Sequence, residues 1–314
     1  MQLKAKEVIR NKPITLQANK TLYDARNILI RYNISRVVIT TKQTENKDEE
    51  EAIGIVTEKD IAQFLFRGMH GRRLNEIRID ELIRNQNLIT VNENADLNLC
   101  AKLMLDSGVS SIVVTTQNDV SRGSNHTLRG IITKSDFLEL YARNYGGKAT
   151  VNEYMAKKVL TVRPDESVHM VLLIMVDSNI SRVIVVDDDN NKPIGIITSH
   201  DLLPASTILR ANKITSLPPL TQYRVKTKNE AMTKTTDITT QYKSNLPYGM
   251  KRIVLAEDIM KSYPIMITDY ADLIDAALVM RGNMISGLPV VDSSDKLVGI
   301  ITKTDITRAV ADGK

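Results

Sequence analysis

Four stretches of this chain end in Thr-x-x-Asp behind the same short apolar lead. They are Gly54-Ile-Val-Thr57-Glu-Lys-Asp60, Gly130-Ile-Ile-Thr133-Lys-Ser-Asp136, Gly195-Ile-Ile-Thr198-Ser-His-Asp201 and Gly299-Ile-Ile-Thr302-Lys-Thr-Asp305. Each reads as a β-strand running straight into a helix start. The first N–H groups of a helix have no intrahelical acceptor, and the helix dipole favours an anion there. The chemistry this allows is phosphate binding, repeated as a module rather than gathered in one active site. The same residues also have a purely structural use. Thr can cap the helix while Asp reaches back to it, and Gly can let backbones approach closely.

No other residues form a reactive constellation. His70, His126 and His169 lack ligand-like spacing, so no metal site is expected. His200 lies inside the third copy, where it could touch phosphate or face solvent. Gly146-Gly147-Lys148-Ala149 lacks the spacing and the Ser/Thr of a P-loop and reads as a linker. No nucleophile has a plausible base, so the chain is expected to act by binding and not as an enzyme. The single Cys100 cannot form an internal disulfide and falls on an apolar helix face. That fits a buried thiol in a reducing cytoplasm. No apolar run reaches membrane-spanning length, and the N-terminus lacks a signal-peptide pattern.

The elements that would position the Thr and Asp side chains repeat with them. Each repeat opens on a short β segment ending in Thr: Thr15, Thr90, Thr161 and Thr268. An amphipathic helix follows. In the first copy Leu22, Ala25, Ile28, Leu29 and Tyr32 share one face, and Thr21 with Asp24 forms its cap. In the second, Leu97, Cys100, Ala101 and Met104 share one. A β-branched strand comes next, beginning Ser35-Arg36, Ser110-Ser111, Ser181-Arg182 and Ser286-Gly287. The Gly-led strand and a second helix complete a β-α-β-β-α unit of α/β class.

The interval between motif glycines stretches from 65 residues (130 to 195) to 76 (54 to 130) and 104 (195 to 299). The longest contains Arg210, Lys213, Arg224, Lys226, Lys228, Lys234, Lys243, Lys251 and Arg252 against only Glu230 and Asp237. Segment 204–252 therefore nets +7 in a chain of net charge +5, leaving −2 for the rest. A basic arm of this kind can neutralise phosphates, and its Tyr223, Tyr242 and Tyr248 could stack on bases. Arg67, Arg72 and Arg73 form a second basic cluster.

With its G-h-h-T-x-x-D phrases, its I-S-R-h-h-V-V strands and their period, the chain resembles proteins built from cystathionine-β-synthase (CBS) repeats. Asn179–Asp187 and Met284–Asp292 match most closely, and the resemblance covers nearly everything but the basic insertion. It implies repeats that pair through their sheets, with two pairs stacked as a flat disk. Pair one is expected over residues 1–146 (repeats about 1–68 and 76–145). Pair two is expected over 147–314 (repeats about 150–206 and 253–314), with the insertion at about 207–252.

The resemblance also implies AMP, ADP or ATP as regulatory ligands in the clefts, with S-adenosylmethionine ranked behind them and no catalytic cofactor. Asp60, Asp136, Asp201 and Asp305 would then bind ribose hydroxyls. Thr57, Thr133, Thr198 and Thr302 would lie near ribose or phosphate, and Arg36 and Arg182 would face phosphates. Thr15, Thr90, Thr161, Thr268 and His200 join the nucleotide-binding candidates. Chemistry agrees: a carboxylate can accept both hydroxyls of a vicinal diol, and an arginine fork matches phosphate. Ser111 and Gly287 break the arginine pattern, so the clefts are not expected to be equivalent.

Three functions follow as expectations. One is a nucleotide-sensing regulator of a partner enzyme or transporter. A second is an RNA- or ribosome-binding factor, as in translation inhibition or hibernation, using the basic residues of 204–252 with Arg72 and Arg73. The third is an oligomerisation scaffold.

Overall fold

A computed structural model describes residues 3–9, 12–41, 50–67, 72–117, 126–144, 149–187, 189–203 and 254–313. The basic residues from Arg210 to Arg252 lie outside that set. Each repeat runs strand, helix, strand, strand, helix, as the apolar periods require. In repeat one, Thr15–Gln17 lies parallel to Arg36–Thr40, and Ala52–Thr57 closes antiparallel on the other side. The pattern recurs with Thr90–Asn92, Ser111–Gln117 and His126–Thr133. It returns with Thr161–Val162, Arg182–Val186 and Pro193–Thr198, then with Ile267–Thr268, Gly287–Val291 and Leu297–Thr302.

The first helices, Leu22–Tyr32, Leu97–Asp106, Val168–Asp177 and Leu273–Gly282, bury one apolar face each. Leu22, Ala25 and Leu29 are fully buried, as are Cys100, Ala101 and Met104. Tyr32 does not join its expected face. It sits in the last turn, 51% exposed, with the Arg31 guanidinium over its ring. Each first helix is followed by a left-handed residue: Asn33, Gly108, Asn179 and Met284. The expected Thr21–Asp24 cap is present, with Thr21 N–H donating to Asp24 Oδ2 at 2.9 Å.

A short lead-in segment precedes each repeat and docks on the sister repeat, a feature the periodicity did not disclose. The helix Ala5–Val8 of repeat one hydrogen-bonds repeat two, with Ala5 N–H on the Ala95 carbonyl. The helix Ile79–Ile83 of repeat two returns the contact, with Ile79 N–H on the Lys20 carbonyl. Val151–Tyr154 of repeat three docks on repeat four, and Ala256–Ile259 of repeat four docks on repeat three. The motif glycines serve this exchange. A Cβ at Gly54, Gly130, Gly195 or Gly299 would strike Ile83 and Gln86, Ile9, Met260 or Met155, all belonging to the sister's lead-in or the turn that follows it.

Repeats one and two also meet sheet to sheet through Val38, Ile55, Val113 and Leu128. Repeats three and four meet through Ile184, Val186 and Leu297. The pairs then join through helices. Leu203 enters the core of repeat one, and Ala62 enters that of repeat three. Repeats two and four share one continuous core containing Phe137, Tyr141, Ile306 and Val310. Among the described residues no helix is long and apolar enough to cross a membrane.

Candidate functional site

Every Thr-x-x-Asp is a helix cap. Asp60 Oδ2 accepts from the Thr57 N–H and hydroxyl, both at 2.7 Å. Asp136 Oδ2 accepts from Thr133 at 2.7 and 2.9 Å, Asp201 Oδ2 from Thr198 at 2.8 and 2.6 Å, and Asp305 Oδ2 from Thr302 at 2.8 and 2.7 Å. The structural use of these residues is therefore real. It consumes only one oxygen of each carboxylate, and Oδ1 remains for other partners. Burial pushes the Asp60 and Asp305 carboxyls up, against the pull of their Thr partners.

Arg36 and Arg182 stand opposite Thr57 and Thr198 in their sheets. Each crosses to the sister repeat. Arg36 donates to the Ser110 carbonyl, and Arg182 to the Ser286 carbonyl and, at 2.9 Å, to Ser286 Oγ. The equivalent sister positions are Ser111 and Gly287, opposite Thr133 and Thr302. A Cβ on Gly287 would collide with the Arg182 guanidinium. One arginine therefore fills the space between two repeats, and its counterpart must be small. The alternation Arg, Ser, Arg, Gly is a packing rule of the pair.

The starts of the second helices converge, because repeats face one another across the molecule. Glu58 Oε1 lies 2.7 Å from His200 Nδ1, joining repeats one and three. Lys59 Nζ reaches the Asn179 carbonyl at 3.2 Å. Across repeats two and four, Lys134 Nζ donates to Thr304 Oγ1 at 3.0 Å and Lys303 Nζ to Ser135 Oγ at 2.9 Å. Arg36, Arg182, Lys134 and Lys303 form no ion pair among the described residues; their hydrogen bonds go to hydroxyls and carbonyls.

Burial pushes both lysines down to about 8, with repulsion from Arg36 and Arg182 adding to it and the attraction of Asp305 for Lys134 and of Asp136 for Lys303 opposing it. Burial likewise pushes both arginines down to about 10, against the attraction of Glu58 with Asp136 for Arg36 and of Asp305 with Glu58 for Arg182. Glu58 is pushed up by burial. The sequence reading missed Lys59, Lys134 and Lys303, although they stand inside the repeated phrase, one or two residues after its Thr.

The first-strand threonines are not all equivalent. Thr15, Thr90 and Thr161 pair with Val38, Val113 and Ile184, each two residues beyond the Arg36, Ser111 or Arg182 position. Thr268 pairs with Val291, four beyond Gly287, so Met266 falls at the matching register. Matching by residue type had concealed this shift. His200 is held by Glu58. Arg72 is held by Glu81 at 2.9 Å, and the Arg73 backbone N–H binds Glu76 at 2.8 Å.

The CBS domain profile matches residues 5–67, 79–143, 151–208 and 256–312. The chain belongs to the CBS domain family. Protein MJ1225 of Methanocaldococcus jannaschii is 24% identical over 279 residues, 85% of each chain. Its crystal structure, described as that of a candidate archaeal homologue of g-AMPK, superposes with a TM-score of 0.72 at 22% identity, covering 98% of this chain and all of that one. CBSX1, a chloroplastic CBS domain-containing protein of Arabidopsis thaliana, is 32% identical over 169 residues, 52% of this chain and 64% of its own. A match to homoserine O-acetyltransferase of Methanosalsum zhilinae, 27% identical over 180 residues, covers 57% of this chain but only 33% of that enzyme. The chain thus spans less than two thirds of the length of several curated relatives.

Proposed function

We propose that this CBS protein is a non-enzymatic regulator that binds adenine nucleotides with their phosphates turned to the junction of the four repeats. One observation carries the reading: Arg36, Arg182, Lys134 and Lys303 are gathered and half-buried where helix N-termini converge, with Glu58, Asp136 and Asp305 attracting them but none within ion-pair distance among the described residues. Burying cations together is unfavourable unless an anion joins them. Phosphate is suited to arginine forks and free helix N–H groups alike. The remaining Oδ1 of a motif aspartate supplies the acceptor for a ribose hydroxyl, and the apolar strands beside it give a flat slot for a purine.

AMP, ADP and ATP should each raise the melting temperature of the full chain, since a ligand at 100 times its Kd adds about 2.7 kcal/mol. Adenosine, lacking phosphate, should do much less. Flat melting curves with all three nucleotides at millimolar concentration would sink the reading. The finer reading is that occupancy is passed to RNA or the ribosome through segment 204–252, supported by its net charge of +7. Deleting residues 217–250 should then abolish salt-sensitive RNA binding. Unchanged co-sedimentation with ribosomes would leave a protein partner, such as an enzyme or transporter, or a scaffolding role.

A further inference from the structure

The motif aspartates are not in one state. On Asp60 and Asp136, Oδ1 has no hydrogen-bond or ion-pair partner among the described residues, Oδ2 alone being used by the cap. On Asp201, Oδ1 lies 3.1 Å from Lys261 Nζ. On Asp305, it lies 3.3 Å from the Arg308 guanidinium.

The two cations have different origins. Arg308 is one turn along the same helix, Lys303–Ala311. Lys261 arrives from another repeat. The short strand Lys261–Ser262, which follows the lead-in helix of repeat four, pairs with Pro193–Thr198 and sets Lys261 opposite Ile196, two residues before the motif Thr198. The same sheet edge is filled differently elsewhere. In repeat one the neutral Gln86 side chain bonds both backbone groups of Ile55. In repeat two Ile9 packs over Gly130, and in repeat four Ala156 pairs with Ile300. Among the described residues, only repeat three receives a cation from its sister at this edge. The Asp201 side chain it meets is 9% exposed, whereas the Lys261 side chain is 63% exposed, so the cation caps a buried carboxylate from the solvent side.

We propose that Lys261 is a built-in occupant of the third repeat's diol-binding carboxylate, with Arg308 in the same part for the fourth. Ribose-bearing ligands therefore enter at Asp60 and Asp136. The inference rests on the functional reading above, in which the motif aspartates receive ribose hydroxyls. An ammonium or guanidinium on Oδ1 takes the lone pairs that a hydroxyl would use, and its bulk stands where the sugar would lie. Among the described residues the two pairs of repeats thus divide the work: one is open to ligand, the other is closed by its own chain.

Calorimetric titration of the full chain with AMP tests this. The unaltered chain should bind about two equivalents, and 2′-deoxy-AMP should bind more weakly at both sites. Asp60→Asn and Asp136→Asn should each remove one site, whereas Asp201→Asn should remove none. Lys261→Met should add a site, and Lys261→Arg, which keeps the cation, should not. Four equal sites in the unaltered chain, or two sites in both it and Lys261→Met, would overturn the inference while leaving the functional reading standing. No binding of AMP, ADP or ATP to the unaltered chain would overturn both. A melting curve for Lys261→Met guards against misfolding, and the Arg variant separates loss of charge from loss of a side chain.

Discussion

Replacing Lys303 by Met should make the unliganded protein more stable and the ligand-binding protein worse. The Lys303 ammonium is pushed from 10.5 down to about 8, chiefly by burial and then by Arg182 and Arg36. Holding it charged at neutral pH therefore costs about 3 kcal/mol. Residual solvent reduces that to about 2 kcal/mol. Losing the 2.9 Å bond to Ser135 Oγ gives back about 1 kcal/mol. The net expectation is a gain of about 1 kcal/mol at neutral pH, with the apolar stem of Met filling the space of the lysine stem.

The difference between the two proteins changes sign with pH. Unfolded Lys303 keeps its proton up to about 10.5, whereas the folded residue releases it near 8. Between those values the unfolded chain binds more protons, so the lysine's penalty fades as pH rises through the window. The variant's advantage should be full below pH 8 and should turn into a deficit of about 1 kcal/mol by 10.5, where the penalty has faded and only the lost hydrogen bond remains. Urea unfolding of both proteins across that range measures it, and AMP melting shifts measure the lost anion contact. A variant that is less stable at neutral pH, with a pH-independent deficit and an unchanged AMP shift, would refute the picture of a frustrated cation cluster.

Gly287→Ala should cost about 1–3 kcal/mol by overpacking against Arg182; in an Arg182→Ala background, chemical denaturation should show most of that cost gone. Gln86→Ala strands the Ile55 N–H and carbonyl, each now bonded at 2.8 Å, and should cost about 1–3 kcal/mol, with faster hydrogen exchange at the Ile55 amide. Met284 holds a left-handed φ of 54° and is 86% exposed. Met284→Gly should stabilise the fold by about 1 kcal/mol, read as a rise in melting temperature.

The fold was legible because its period is written in apolar residues. Leu22, Ala25 and Leu29 announce a helix face, and Val37, Val38 and Ile39 a buried strand. The lead-in helices were not, because four or five residues are too few to display a period, and their partners lie in another repeat. The candidate site was legible in its Thr and Asp but not in its charge. Lys134 and Lys303 look like ordinary surface lysines beside a helix cap. Only the meeting of repeats two and four brings them face to face. The meaning of Gly287 was equally invisible, since it is set by an arginine 105 positions earlier in the chain.

The crossed lead-ins have one more consequence. Before residues 204–253 stands Leu203, whose carbonyl accepts from Arg26 of repeat one at 2.9 Å. After them stands Val254, whose carbonyl accepts from Val168 of repeat three at 2.9 Å. A cut between those points would free no domain. Repeat four would still be docked on repeat three by its own lead-in, would still hold the lead-in of repeat three, and would still share a core with repeat two. The chain is thus built to survive as two complementing fragments, held together by contacts among the described residues on either side.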